Sequence, residues 1–424
     1  MIQENNAEIN YGRILKIALD IAERMLVNGT EVGRVEDSIA RICRAYGAVR
    51  VDALTITTSI IVTIETPDGE CVTQTRRIED RSNDLLRIEA LNRLSREICT
   101  KKPDTEWISK KLEQIDEMRR LPWFVSLIAY LSVGSSFAVF FGGTWRDAIA
   151  ALLASFVIFA FDRLAGNLKA NKIVYTLIVS LVAGIICVYT VRFGIGQNLD
   201  FIMIGTIMLL IPGMAITGAI EDLLVGDTIT GLLRLCESIL TACAIAAGFV
   251  FATYICQSMD LLNVGNSSID PIIQLAMAVL SALGFAVKLG MKRPSRLIAA
   301  SFAGLFGWGS YLICAHLGAD GFTSCFVASA VGALYSQVMA RVLRAPATVF
   351  LVPAVIPLVP GRALYYTMSN ALQGNSVTAE SWAATTAAEA LAIAFGMVAI
   401  LFAVGVIVTV IRRRKIRKKI YKIK

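Results

Sequence analysis

Charged residues inside long apolar stretches are the residues of this chain most able to do chemistry, and two carboxylates lead the set. Glu237 and Glu389 each lie well inside such a stretch. An ionisable side chain at membrane depth is costly unless it faces protein or water. A carboxyl group held in those surroundings can take up and release a proton near neutral pH, which is the chemistry of proton coupling. Arg362 offers the complementary chemistry, because a guanidinium presents paired N–H groups to a carboxylate; it could instead reach out to the membrane interface. Asp222 and Asp227 add carboxylates, Asn370 and Asn375 amides. His316 is the sole histidine and the nine cysteines show no C-x-x-C spacing, so no metal site, catalytic set or disulfide framework is expected.

A repeat places these residues. Ile211-Pro212-Gly213 recurs 148 positions later as Val359-Pro360-Gly361. At that offset Asp222 falls on Asn370, Asp227 on Asn375, Gly226 on Gly374 and Gly248 on Gly396, and Phe137-Ala138-Val139 falls on Phe285-Ala286-Val287. Glu389 stands 152 positions after Glu237, one helical turn beyond strict equivalence, which keeps both on one helix face. Arg362 falls on Met214, so that charge belongs to one copy only. Proline removes a backbone donor and glycine lets the chain turn. At membrane depth such breaks persist only where protein or a water-filled cavity satisfies the freed groups. Half-helix N-termini at the breaks suit a carboxylate, although prolines can also merely kink packed helices. The expected substrate-binding set is therefore Pro212, Gly213, Asp222, Asp227, Pro360, Gly361, Arg362, Asn370 and Asn375. Glu237 and Glu389 are the expected proton-coupling pair.

The elements that must position them are membrane helices. The chain is 56% hydrophobic and 17% charged, with mean hydropathy +0.64, against roughly 45–50% apolar and about 25% charged in soluble domains. Residues 1–121 hold 40 charges, 122–411 only 25, and Arg412–Lys424 nine, all basic. Ten apolar segments from Pro122 onward are long enough to cross a bilayer, about 20 residues each: 122–142, 146–165, 171–193, 199–219, 231–256, 270–290, 296–316, 320–342, 346–366 and 382–411. With residues 1–121 inside, the inner connections carry Arg163, Lys169, Lys172, Lys288, Lys292, Arg293, Arg296, Arg341 and Arg344, and the outer ones only Arg146 and Arg192. Both termini are then cytoplasmic, and the basic tail faces anionic lipid rather than nucleic acid. Five crossings per copy force the second copy into the membrane in the opposite sense, the inverted repeat on which many transporters are built.

Residues 1–121 read as α+β. Helices are expected over Asn10–Val27 and Val32–Tyr46, each stopped by a glycine (Gly29, Gly47). A β-hairpin is expected from Val51–Glu65, the turn Pro67-Asp68-Gly69 and Cys71–Thr75. Ser82 or Asn83 caps a further helix, and Pro103-Asp104 opens another through Arg120. The domains expected are thus a cytoplasmic α+β domain (1–121), two five-helix membrane repeats (122–263 and 264–411) and a basic cytoplasmic tail (412–424).

The run Asn28-Gly29-Thr30-Glu31-Val32-Gly33-Arg34-Val35-Glu36-Asp37, ending its helix at Ala45-Tyr46-Gly47, resembles the opening of the threonine/serine exporter family. The likeness extends to the segment count and the paired Pro-Gly elements. It implies a multi-pass protein of the inner membrane that exports a small amino acid, threonine or serine first, on the proton gradient. Some members of that family whose halves are separate chains are associated with dicarboxylates, so succinate-like substrates are the alternative. The expected partners are the small-molecule substrate, protons and the bilayer, with a homo-oligomer allowed. No cofactor is expected, and no P-loop is present to couple ATP. Chemistry confined to residues 1–121 would make the chain a membrane-anchored enzyme, and flux without a gradient would make it a channel. The absence of histidine from residues 1–121 removes the familiar hydrolase arrangements.

Overall fold

The computed structural model describes residues 10–78, 84–118, 121–165, 171–258 and 269–421, with side chains in the last helix described to residue 407. Lys169, Ser82, Asn83, Arg120 and the extreme ends of the chain lie outside these residues. The chain divides into two compact units, Met1–Leu121 with Leu289–Lys292, and Pro122–Lys288 with Arg293–Lys424.

The first unit holds α1 (Tyr11–Val27), α2 (Val32–Ala45), β1 (Arg50–Ile56), β2 (Ser59–Glu65), β3 (Cys71–Arg77), α3 (Leu85–Lys101) and α4 (Thr105–Asp116). Leu15, Ala18, Ile21, Ala22 and Met25 of α1 recur at helical spacing and are buried against Val35, Ile39 and Ile42 of α2. Asn10 caps α1 by accepting from Arg13 N at 3.0 Å. The sheet is antiparallel in the order β1-β2-β3. Ile60, Val62 and Ile64 of β2 turn inward, while Leu54 and Ile61, paired across β1 and β2, stay exposed. Val51–Glu65, read from sequence as one arm of a hairpin, is two strands joined at Thr57-Thr58. Threonine's strand preference hid that turn. Asp84 caps α3, its Oδ1 accepting from Leu86 N and Arg87 N at 3.0 and 3.1 Å. The segment Leu289–Lys292 belongs to this unit through Leu85 N, which donates to Leu289 O at 3.0 Å.

The second unit is helical throughout its described residues. One half comprises α5 (Trp123–Phe140), α6 (Trp145–Ala165), α7 (Lys172–Arg192), α8 (Leu199–Ile207), α9 (Gly213–Val225) and α10 (Thr228–Ile255). The other comprises α11 (Pro271–Lys288), α12 (Pro294–His316), α13 (Gly321–Val342), α14 (Thr348–Val355) with a 3-10 turn at Ile356–Leu358, α15 (Gly361–Leu372) and α16 (Ser376–Tyr421). The starts of α5 and α11, of α9 and α15, and of α10 and α16 each differ by 148 residues; those of α6 and α12 and of α7 and α13 differ by 149. The sequence repeat is therefore a repeat of elements. Gly226 and Gly374, equivalent by that offset, close α9 and α15 at φ +106° and +80°, a region that favours glycine.

Seven of these helices are long and apolar enough to cross a membrane, or eight if the pair Thr348–Leu358 and Gly361–Ala371, bent by 50°, counts as one span. The fourth apolar segment, read from sequence as 199–219, is two helices separated at Met208–Pro212 and runs on to Val225. Close helix approaches rest on small residues. A Cβ on Gly205 of α8 would lie 2.5 Å from Ala138 N and 2.7 Å from Gly134 O of α5, and one on Gly248 of α10 would lie 2.6 Å from Ser180 Cβ of α7.

Candidate functional site

Both chain breaks follow from the missing proline donor. Pro212 has no N–H to give Met208 O, so the helix cannot run on to Gly213, whose N–H would have met Leu209 O; here the helix stops at Ile207, and Leu210 N and Ile211 N fold back onto Ile207 O at 2.8 and 2.9 Å. Lys288 Nζ, from the end of α11, takes up the freed carbonyl, donating to Leu209 O at 2.7 Å. At the second break Pro353, Pro357 and Pro360 tighten the chain into a 3-10 turn before α15 restarts, with Leu364 N donating to Pro360 O at 2.9 Å. The two breaks meet. A Cβ on Gly361 would collide with Met208 Sδ and lie 3.2 Å from Ile211 Cδ1, so the start of α15 sits directly on the end of α8.

A buried polar group gathers beside this junction. Asp200, at the first turn of α8, is 3% exposed, and its Oδ1 faces the Tyr365 hydroxyl of α15 at 3.4 Å. Asp200 Oδ2 is buried without a hydrogen-bond partner, and so is Arg362 Nε. The Arg362 guanidinium lies over the Tyr366 ring at 5.7 Å and is close enough to both Asp200 and Glu389 for their charges to interact. Tyr366 packs on Trp382 of α16 with ring centroids 5.0 Å apart. One base and two acids thus share a largely desolvated space, and buried donors and acceptors there retain unfilled hydrogen-bonding capacity. A zwitterion has the complementary pair of charges.

A second group surrounds Lys288. Its Nζ lies 4.6 Å from the Tyr130 ring centroid and 5.6 Å from that of Phe285, and it interacts with the charge of Asp162. Asp162 accepts from Tyr130 Oη at 2.6 Å and from Tyr175 Oη in a shorter contact.

The residues singled out from sequence divide between these surroundings. Pro212, Gly213, Pro360, Gly361 and Arg362 lie at the starts of α9 and α15, where Gly361 approaches Met208 and Ile211. Glu389 is half-buried on α16 beside Arg362, whereas Glu237 is exposed on α10. Asp222 is buried and its Oδ2 pairs with Arg234 Nη1 at 2.8 Å. Its repeat mate Asn370 donates from Nδ2 to Tyr366 O at 2.8 Å. Asp227 is half-buried at the start of α10 and Asn375 exposed at the start of α16; His316 is exposed at the end of α12. Sequence reasoning missed Asp200, Asp162 and Lys288. Asp200 falls at the start of segment four (199–219), where the sequence gives it no role, and Lys288 counts there only as a charge of an inner connection. The repeat carried a signal for both, since they fall on Thr348 and Phe140, and neither charge is matched in the other copy.

Taken together, these features define a polytopic helical membrane protein of two related halves, with a polar site where two proline-broken helices touch. Two family models, both described as threonine/serine exporter, match residues 16–256 and 274–403. The chain belongs to the threonine/serine exporter family. It is similar to the "Threonine/serine exporter" of Corynebacterium glutamicum, 23% identical over 91% of this chain and 81% of that one. It is also similar to the "Probable threonine/serine exporter" of Mycobacterium tuberculosis, 24% identical over 84% of this chain and 70% of that one. The "Probable succinate transporter subunit YjjP" of Klebsiella aerogenes is 26% identical over 56% of this chain and 92% of its own length. No solved structure matches the chain.

Proposed function

We propose that this chain is a secondary exporter of small amino acids, threonine and serine first, driven by the proton gradient. The observation that carries the reading is the desolvated grouping of Arg362 with Asp200 and Glu389 where the two broken helices meet. Arg362 and the first turn of α15 receive the substrate carboxylate, and Asp200 receives the ammonium. Glu389 carries the proton, with Glu237 the candidate for the equivalent step in the first half. Pro212 and Pro360 hold the breaks open, and Asp222, Asp227, Asn370 and Asn375 bound the site where α9 and α15 end. The names of the two relatives matched over most of the chain support the substrate class.

The same reading gives ten crossings, with α8–α9 and α14–α15 as broken spans, and both termini and residues 1–121 on the cytoplasmic side of the inner membrane. The equal spacing of element starts supports an inverted repeat of 122–263 on 264–411. The basic residues of 412–424 then lie against anionic lipid.

Dicarboxylate export is the second reading, favoured by the likeness to the succinate transporter subunit. The two differ in their demand on Asp200, because a dicarboxylate brings no ammonium to meet it. Counterflow in proteoliposomes against a panel of amino acids and dicarboxylates decides. Exchange of labelled threonine or serine, lost on Arg362→Gln and on Asp200→Asn, is the expected result. Exchange of succinate alone, with Asp200→Asn left active, overturns it.

A further inference from the structure

Leu209 O, just beyond the C-terminal end of α8, has lost its helical donor to the break at Pro212, and that end of a helix carries partial negative charge. Freed carbonyls of this kind coordinate the driving ion in many transporters built on broken helices. Here the chain supplies its own cation: Lys288 Nζ, from the last residue of α11, donates to Leu209 O at 2.7 Å. An ammonium differs from a metal ion because it can vacate its place by giving up a proton. Lysine can do this and arginine cannot.

An acceptor stands nearby. Asp162, close to the end of α6, is the opposite charge set against Lys288, and the hydroxyls of Tyr130 and Tyr175 hold it. Tyr130 touches both partners, with its ring 4.6 Å from Lys288 Nζ and its hydroxyl donating to Asp162 Oδ2 at 2.6 Å. All four side chains are partly buried. Tyr130 is the sole titratable residue of α5, the main neighbour of α11; α12 brings Arg296 in its buried first turn, and α14 with its 3-10 turn brings none. The other copy lacks this set. At the offset of 148 Lys288 falls on Phe140 and Tyr130 on Ala278. Phe140 packs instead on Trp308, with ring centroids 4.5 Å apart. An ammonium thus serves the first break alone, as Arg362 serves the second alone.

We propose that Lys288 is the proton-binding group of the first break, that it releases its proton to Asp162, and that this release frees Leu209 O so that the break can move. The assignment deepens the transport reading above and rests on it, with Glu389 serving the polar site and Lys288 the break. An N–H bond of the ammonium breaks, its electron pair stays on Nζ, and the proton joins a carboxylate oxygen of Asp162. An ammonium and a carboxylate become an amine and a carboxylic acid, and nothing else is consumed. In the orientation proposed above, the Asp162 end of α6 faces the cytoplasm, which receives the proton. The gradient then returns one to the amine.

Lys288→Arg separates proton release from the hold on the break, because arginine keeps a charged donor for Leu209 O but has no proton to give. Wild type, Lys288→Arg and Asp162→Asn are reconstituted in liposomes. Labelled threonine is followed in two ways: exchange at equal pH on both sides, and accumulation on an imposed pH difference. Exchange of substrate for substrate needs no proton to come off, so both variants should exchange at close to the wild-type rate. Accumulation should fall about tenfold or more in each, and the substrate-induced pH change inside the vesicles should vanish with it. Accumulation undiminished in Lys288→Arg overturns the proposal. Loss of exchange as well, with an unchanged elution profile, also overturns it, because Lys288 then only holds the break. If the arginine chain does not reconstitute, Asp162→Asn decides on the same two measurements. Wild type that exchanges succinate instead of threonine overturns the amino-acid reading alone, and the comparison is then made with succinate. Wild type that exchanges substrate but never accumulates it on a pH difference overturns the proton-driven reading itself.

Discussion

Lys288→Met tests the physics of the first break most sharply, because opposing terms of similar size meet at one ammonium. The native contact is a charged donor on Leu209 O at 2.7 Å, worth about 1.5–3 kcal/mol in soluble proteins but about 0.6 on average, and about 1.7 at most, between membrane helices. The ring of Tyr130 at 4.6 Å adds about 2 kcal/mol for a desolvated cation. Against these stands the cost of a lysine at membrane depth, about 2.5–3.5 kcal/mol at a helix centre. That cost is reduced here because Lys288 is the last residue of α11 and Asp162 supplies opposite charge. Methionine fills a similar volume, removes both attractions and strands the carbonyl, so a net loss of about 1–3 kcal/mol is expected. The assay is SDS-driven unfolding in mixed micelles, with Lys288→Arg and Asp162→Asn alongside. Lys288→Arg should stay near wild type, and Asp162→Asn should recover part of the loss in the double variant. A Lys288→Met chain as stable as wild type, or more stable, refutes the reasoning, because desolvation would then outweigh the bond to the broken helix.

Other consequences are equally open to measurement. Arg234→Gln removes the ion pair to the buried Asp222 and should cost about 3–5 kcal/mol, with Asp222→Asn/Arg234→Gln less harmful than the single change in the same unfolding assay. Gly205→Ala drives a methyl group into the α5 backbone, which cannot rotate away as a side chain would; a loss of about 1–3 kcal/mol is expected, and an unchanged unfolding midpoint would contradict the contact. In the N-terminal unit, burial pushes the Cys43 thiol up to about 12, leaving on the order of one thiolate in ten thousand at pH 8. Maleimide at pH 8 should therefore label the exposed Cys71 and spare Cys43 until the chain is denatured.

The architecture was legible because its signals are long and repeated. The offset of 148 residues, read from Pro212 and Pro360, also spaces helix starts far from either proline, at α5 and α11 and at α10 and α16. Segment four, read as one span over 199–219, is instead two helices, because Pro212 breaks it and α9 continues the path to Val225. The site was legible only in part. Glycine and proline mark where a backbone must bend, so the junction could be read, but contacts between helices distant in sequence leave no periodic trace. Glu237 and Glu389 satisfy the same-face argument, yet α10 turns its glutamate to the surface and α16 places its own beside Arg362. Asp200, Asp162 and Lys288 stand out chiefly as charges unmatched in the other half. Asp222 and Arg234 show the same asymmetry, because the positions equivalent to them hold Asn370 and Trp382.

The account turns on Arg362 and Asp200 meeting the two ends of one zwitterion. Counterflow of labelled threonine into proteoliposomes, compared among wild type, Arg362→Gln and Asp200→Asn, tests that directly. Wild-type exchange, with at least a tenfold loss in each variant and helical content unchanged, is the predicted result. Threonine exchange undiminished in both variants would contradict the account.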